Sequence, residues 1–401
     1  MTEPAPTSGL VLGGAAALGA YEVGVLAYLV DELARDVPVA MPTVLAGTSA
    51  GALNATALAA FADEPARGVR LLVEAWSGLH LAAFFRPSSL ELLAIGLDVT
   101  GAPLRLRRAL AVRAGRGGFL DPAPVEELVA RIPLDRIAAH LTAGRLRGVA
   151  VSATRVSTGA AVIFHQTAEP TRPWLHDASL LPVATPLTAA HVLASAAIPL
   201  LFPTVAIDGD RYCDGGLRQM VPLSPAVHLG ATRLLVVNPV PAAPATRPAG
   251  PSPVGSPLYL AGKAFNALFA DRVDADLARL TRTTELLRAG ARRFGPTFER
   301  EINLELTAAG CGELHAIDAV CIEPSQDLGA LAASHVASRA FAARAPGIAG
   351  ILMRCIADGD PGRVGDLLAY LLFDGEFTAA LIDLGRADAR ARHDELCGLF
   401  A

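Results

Sequence analysis

The sequence predicts an α/β fold: a mostly parallel central sheet with helices on both faces, plus a helical C-terminal elaboration. Three observations predict it. Short apolar runs recur at Leu10–Leu12, Val44–Ala46, Gly148–Ala153, Ala160–Phe164, Thr204–Ile207, Leu234–Val237 and Ala319–Ile322, with helical patterns between most of them. Such alternation argues for crossover connections in a parallel sheet. The first two runs each end in a turn of small residues that opens a helix-like stretch. Finally, the mean hydropathy is high, +0.41, yet punctuated. Leu10–Val30 contains Glu22 and four glycines, which suits a buried strand and its packed helix better than a membrane span.

Taken in order, Met1–Ser8 is polar and Pro-bearing without a basic segment, so no signal peptide and a cytoplasmic location are expected. Leu10–Leu12 runs into Gly13-Gly14-Ala15-Ala16-Ala17-Leu18-Gly19 and then the helix-like Ala20–Leu29. Small residues at such a turn expose backbone N–H groups that suit an anion. A dinucleotide pyrophosphate would need glycine at 14, 16 and 19, and position 16 is Ala16. No G-K-[ST] follows, which removes a P-loop. An oxyanion hole needs only backbone donors, which alanine supplies where its φ is negative.

Thr43–Asn54 reads Thr-Val-Leu-Ala-Gly-Thr-Ser-Ala-Gly-Ala-Leu-Asn. This is the pattern of a nucleophile elbow, with Ser49 on a sharp turn between strand and helix. Gly47 and Gly51 let the two elements approach without a Cβ clash. The plainer alternative is a Gly/Ala-rich turn with a buried capping serine. Residues 78–147 read as a helical insertion, in which Pro103–Arg116 is a basic–apolar run better suited to a solvated helix or loop than to a lipid-facing patch. Leu180–Ile207 is apolar but broken by Pro182, Pro186, Pro199 and Pro203. Ile207–Leu217 reads as a hairpin strand ending in Asp214 on a Gly215-Gly216 turn. Asn238–Pro257 is rich in Pro and Ala; 258–315 and 328–398 look helical, the former studded with arginines from Arg279 to Arg293. The expected organisation is a core over 1–240, a Pro-rich loop over 241–257, and a mainly helical 258–401 that completes the same domain with one added strand.

The 401 residues carry a net charge of −5, which gives no general attraction to nucleic acid. The five cysteines, at 213, 311, 321, 355 and 397, follow neither a disulfide framework nor zinc spacing. Nine histidines are scattered without an H-x-x-x-H pair, so no metal site is expected.

Three segments in this order, Gly14–Gly19, Gly47–Gly51 and Asp214-Gly215-Gly216, resemble the patatin-like phospholipase family, as does the approach Ala194–Pro203. The resemblance is close over about 8–240. It implies a three-layer fold and hydrolysis of lipid acyl esters through a Ser–Asp dyad without a cofactor. Ser49 would be the nucleophile and Asp214 the base. The N–H groups of Gly14, Ala15 and Ala16 would form the oxyanion hole, with Gly13, Gly19, Gly47, Gly51, Gly215 and Gly216 supporting the motifs. The implied partners are a lipid or acyl-ester substrate and, transiently, a membrane surface. The sequence departs from the family pattern at Ala15 and Ala16, where glycines are usual, and at Leu18, where a basic residue is usual. If the loop needs positive φ at either alanine, the cost is about 1 kcal/mol or more.

Two other readings stay open. One is an α/β-hydrolase with a Ser–Asp–His triad, with His228, His315, His335 and His393 as candidate third members. The other is a fold-sharing, catalytically weak lipid-binding protein, suggested by the altered glycine loop.

Overall fold

The computed structural model describes residues 6–37, 41–85, 118, 120–169, 174, 180–240, 273–345, 347–357 and 367–401. Among the described residues, nine strands form one sheet. They are β1 (Ser8–Leu12), β2 (Val44–Thr48), β3 (Gly148–Arg155), β4 (Ala161–Thr167), β5 (Leu180–Ala184), β6 (Val205–Ile207), β7 (Asp210–Asp214), β8 (Arg233–Val237) and β9 (Asp318–Ile322). The order is β5-β4-β3-β2-β1-β8-β9. Five strands, β3-β2-β1-β8-β9, run parallel. β4 reverses direction against β3 and carries β5 parallel to itself.

Burial explains why the central strands are aliphatic. Leu10, Leu12, Val44, Ala46, Val149, Val151 and Leu234–Val237 are essentially inaccessible to water, since helices pack around the sheet. The helix α1 (Gly19–Tyr28) is buried at every position, as is α2 (Ala50–Ala60). This is why neither shows the polar stripe of a surface helix. By contrast α3 (Pro65–Ser77), which begins on Pro65, is amphipathic and turns Val69, Leu72 and Trp76 inward.

The sequence expectation missed β5, which spans Pro182 in a stretch taken to be broken by prolines. The strand lies at the edge of the sheet, where a missing N–H costs no ladder bond on the open side. The hairpin β6–β7 turns on Asp208 and Gly209, with φ of 49° and 86°. That is the left-handed pair a two-residue hairpin turn demands, and Asp-Gly supplies it. The run Pro103–Arg116 and the Pro-rich loop over 241–257 lie outside the described residues, as do 258–272 of the expected helical region. Within the latter region, Val273–Phe294 and Phe298–Ala308 are helices.

The hairpin has a specific seat. β3 is longer than β2. Its residues Gly148–Ser152 pair with Val44–Thr48. Its last three, Ala153–Arg155, pair antiparallel with Tyr212–Asp214 of β7. β2 and β7 therefore meet end to end along one side of β3. Thr48 sits opposite Ser152 and Asp214 opposite Ala153, on adjacent residues of a single strand.

Candidate active site

Where β2 stops, Ser49 turns the chain into α2 with φ 55° and ψ −124°. This is a strained conformation for a residue with a side chain, of the kind functional turns hold. The two flanking glycines are required by approach, not by φ. A Cβ on Gly47 would strike the Gly51 carbonyl, and one on Gly51 would strike the carbonyl of Leu12. Strand β1, strand β2 and helix α2 are thus packed backbone to backbone at the turn.

Asp214 ends β7 and faces the elbow across the seam. Its backbone N–H donates to Ala197 O at 2.9 Å, and its carbonyl accepts from the Thr154 hydroxyl at 2.9 Å. Its Oδ1 accepts the Gly216 N–H at 2.7 Å. Gly215 lies against the Ser152 carbonyl. Asp214 Oδ2 is buried without a formed hydrogen bond. Burial pushes the carboxyl up to about 7, although the facing Ser49 hydroxyl and the Gly216 N–H pull it down.

A small cavity is lined by Gly14, Ala15, Ala16, Ser49, Ile198, Asp214, Met220 and Tyr370. It brings the glycine-loop residues, the serine and the aspartate together. Gly13 and Gly14 hold the loop in place: their N–H groups donate to Val237 O (3.2 Å) and Met220 O (2.9 Å). Gly14 was expected as an oxyanion donor, but its N–H is already committed to Met220 O. Among the described residues, no backbone hydrogen bond engages the Ala15 or Ala16 N–H. Ala16 has φ 48°, so the position does demand the left-handed region. Ala15, at φ −156°, does not.

Three contributions had no role assigned from the sequence. Tyr370 reaches the cavity from the C-terminal region. Ser195, fully buried at the end of the helix α4 (Ala189–Ser195), accepts the Ser49 N–H at 2.8 Å and donates to Ser152 O at 2.6 Å. Beneath the loop, Asn54 donates to Gly19 O (3.0 Å) and Glu22 Oε2 (2.8 Å), and accepts from Trp76 Nε1 at 3.0 Å. This ties α1, α2 and α3 together. Burial holds the Glu22 carboxyl well above the usual range. Thus Glu22, which the sequence offered only as an interruption of a span, is an interior strut.

The histidines weighed as third members lie elsewhere. His228 stacks on Trp174, His315 faces Glu299, His335 faces Asp374, and His393 bridges Tyr28 and Cys397. None of them lines the cavity. Among the described residues no group of His, Cys, Asp and Glu is arranged to hold a metal, and no helix is long and apolar enough to cross a membrane.

Among solved structures, VipD from Legionella pneumophila aligns at 14% identity and a TM-score of 0.31, covering 80% of this chain and 62% of VipD. The chain therefore spans less than two thirds of that protein. No curated protein matches it. The model of the patatin-like phospholipase family matches residues 10–227, a span that holds the glycine loop, the serine elbow and the aspartate hairpin. With more than half of its length matched, the chain belongs to the patatin-like phospholipase family.

Proposed function

We propose that the chain is a serine acyl hydrolase of lipid esters that works through a Ser49–Asp214 dyad. The observation that carries this reading is the meeting of a strained, buried Ser49 with the unbonded Oδ2 of Asp214 in one cavity. A carboxyl near neutrality is matched to proton transfer at physiological pH.

In this reading the Ser49 hydroxyl gives its proton to Asp214 Oδ2 as Oγ bonds to the ester carbonyl carbon. Charge on the carbonyl oxygen is met by the N–H groups of Ala15 and Ala16, which are fixed before reaction and need no reorganisation. Collapse breaks the ester C–O bond, and the proton on Asp214 passes to the departing alcohol. Water then gives a proton to Asp214 as its oxygen attacks the acyl carbon. The second collapse breaks the Oγ–C bond, releases the fatty acid and returns the proton to Ser49.

The test is hydrolysis of a short p-nitrophenyl ester and of mixed phospholipid vesicles by the wild type, Ser49→Ala and Asp214→Asn. Turnover lost in both variants, with fluorophosphonate labelling of Ser49 in the wild type, supports the dyad. A folded wild type that neither turns over nor labels would favour the lipid-binding alternative.

A further inference from the structure

Ser195 joins the two halves of the seam. Its hydroxyl takes the N–H of Ser49, the last backbone group before the chain leaves the sheet, and gives its own proton to Ser152 O on β3. Thr48 is the last β2 residue in register, opposite Ser152. Beyond it the elbow carries the chain off the ladder. The hydroxyl stands between two backbone groups that the turn has separated, at a point with no exposure to water. Two residues further on, Ala197 O receives the N–H of Asp214. Ile198 then lines the cavity. One short segment at the end of α4, Ser195–Ala197, therefore holds the backbone of both proposed reacting residues.

We infer that Ser195 is a positioning residue, whose hydroxyl bridges the gap in the ladder and holds Ser49 in the strained turn that aims Oγ at Asp214. This rests on the hydrolase reading above. The energetics favour such a role. Removing the hydroxyl leaves a buried N–H and a buried C=O unpaired together, and each unmet group carries a desolvation cost. At φ 55° the backbone of Ser49 has easier conformations available, so the cheapest response is rotation of the turn. That rotation moves the nucleophile.

The experiment compares Ser195→Ala with Ser49→Ala and with Leu141→Ala, a core truncation in the helix Arg136–Thr142 with no part in the cavity. Steady-state kinetics on a p-nitrophenyl ester, the rate of fluorophosphonate labelling and the melting temperature are measured for each. The expected result for Ser195→Ala is a kcat about 100-fold lower, the scale of an ångström-sized misplacement. Its KM should change by less than about threefold on the same reasoning, and labelling should slow in step with kcat. Leu141→Ala should lose melting temperature and keep kcat. If Ser195→Ala does not fold, Ser195→Cys, of similar size and a poor acceptor, is read by the same criteria. A folded variant with kcat and labelling near those of the wild type overturns the positioning role and leaves the dyad standing. A wild type without turnover or labelling overturns both.

Discussion

The Asp214→Asn substitution should make the protein inactive, and the variant should gain stability relative to the wild type as pH rises. The magnitude follows from burial. The Asp214 carboxyl is 1% exposed and its affinity for a proton rises from the ordinary 3.8 to about 7 on folding. A group whose folded value is raised costs nothing below its unfolded value, where it is protonated in both states. The penalty grows as pH rises from about 4 and is complete above about 7. At about 1.4 kcal/mol per pH unit, the wild type loses about 4 kcal/mol across that window through this group. Asparagine does not titrate, and its Oδ1 can still accept the Gly216 N–H. Whatever asparagine costs in itself is constant with pH, so the pH-dependent part of the difference isolates the carboxylate. Urea unfolding of both proteins at pH 4, 5, 6, 7 and 8 measures it. The gap should widen steadily in favour of the variant up to pH 7 and then level off. A difference flat to within about 1 kcal/mol from pH 4 to pH 8 would refute the argument that this site stores a desolvated charge.

The same titration should appear in catalysis. With Asp214, the proposed base, ionising near 7, kcat/KM should rise about tenfold per pH unit below neutrality and level off above about pH 8, as read in a buffer series. Ala16→Gly should relieve the left-handed strain at φ 48° and leave a net gain of up to about 1 kcal/mol after the added freedom of the unfolded chain, with esterase activity kept; thermal denaturation checks the first and the p-nitrophenyl assay the second. Gly51→Ala should fail to yield folded protein, or lose about 3 kcal/mol or more, because its Cβ meets the Leu12 carbonyl with no flexible neighbour to yield; soluble yield and circular dichroism report it. Tyr370→Ala should open the cavity, which now has room for about one water molecule. It should speed labelling of Ser49 by a bulky fluorophosphonate severalfold while lowering the melting temperature, since the tyrosine is also 3% exposed core.

The parts of the site that were legible are those with local rules. Asp208-Gly209 announces its hairpin because few other pairs accept two positive φ values. Ser49 is legible because only glycines at 47 and 51 allow three backbones to converge. Ala16 was legible as a departure, and the structure supplies the φ that gives the departure its cost. The rest depended on distant segments. That Gly14 gives its N–H to Met220 follows from a loop more than 200 residues away closing over the turn. Tyr370 is farther still. Ser195 lies in the Ala194–Pro203 stretch that resembles the family, but the stretch alone says nothing of what its hydroxyl holds; a buried hydroxyl at a helix end becomes informative only when the ends of β2 and β7 are seen to meet beside it. β5 was missed because proline argues against a strand, and the rule relaxes at an edge that only topology can identify.

Seating Thr48 and Asp214 on adjacent residues of β3 makes the span between the ends of β2 and β7 a matter of strand register. The spacing is set by about 3.3 Å of one strand, not by the fit of many side chains. Core substitutions can erode stability while leaving the spacing nearly untouched. An insertion or deletion of a single residue within β3 or β7 is a different kind of event. It would carry the carboxylate to the opposite face of the sheet, so the site tolerates gradual drift in composition and is extinguished at once by a change in count.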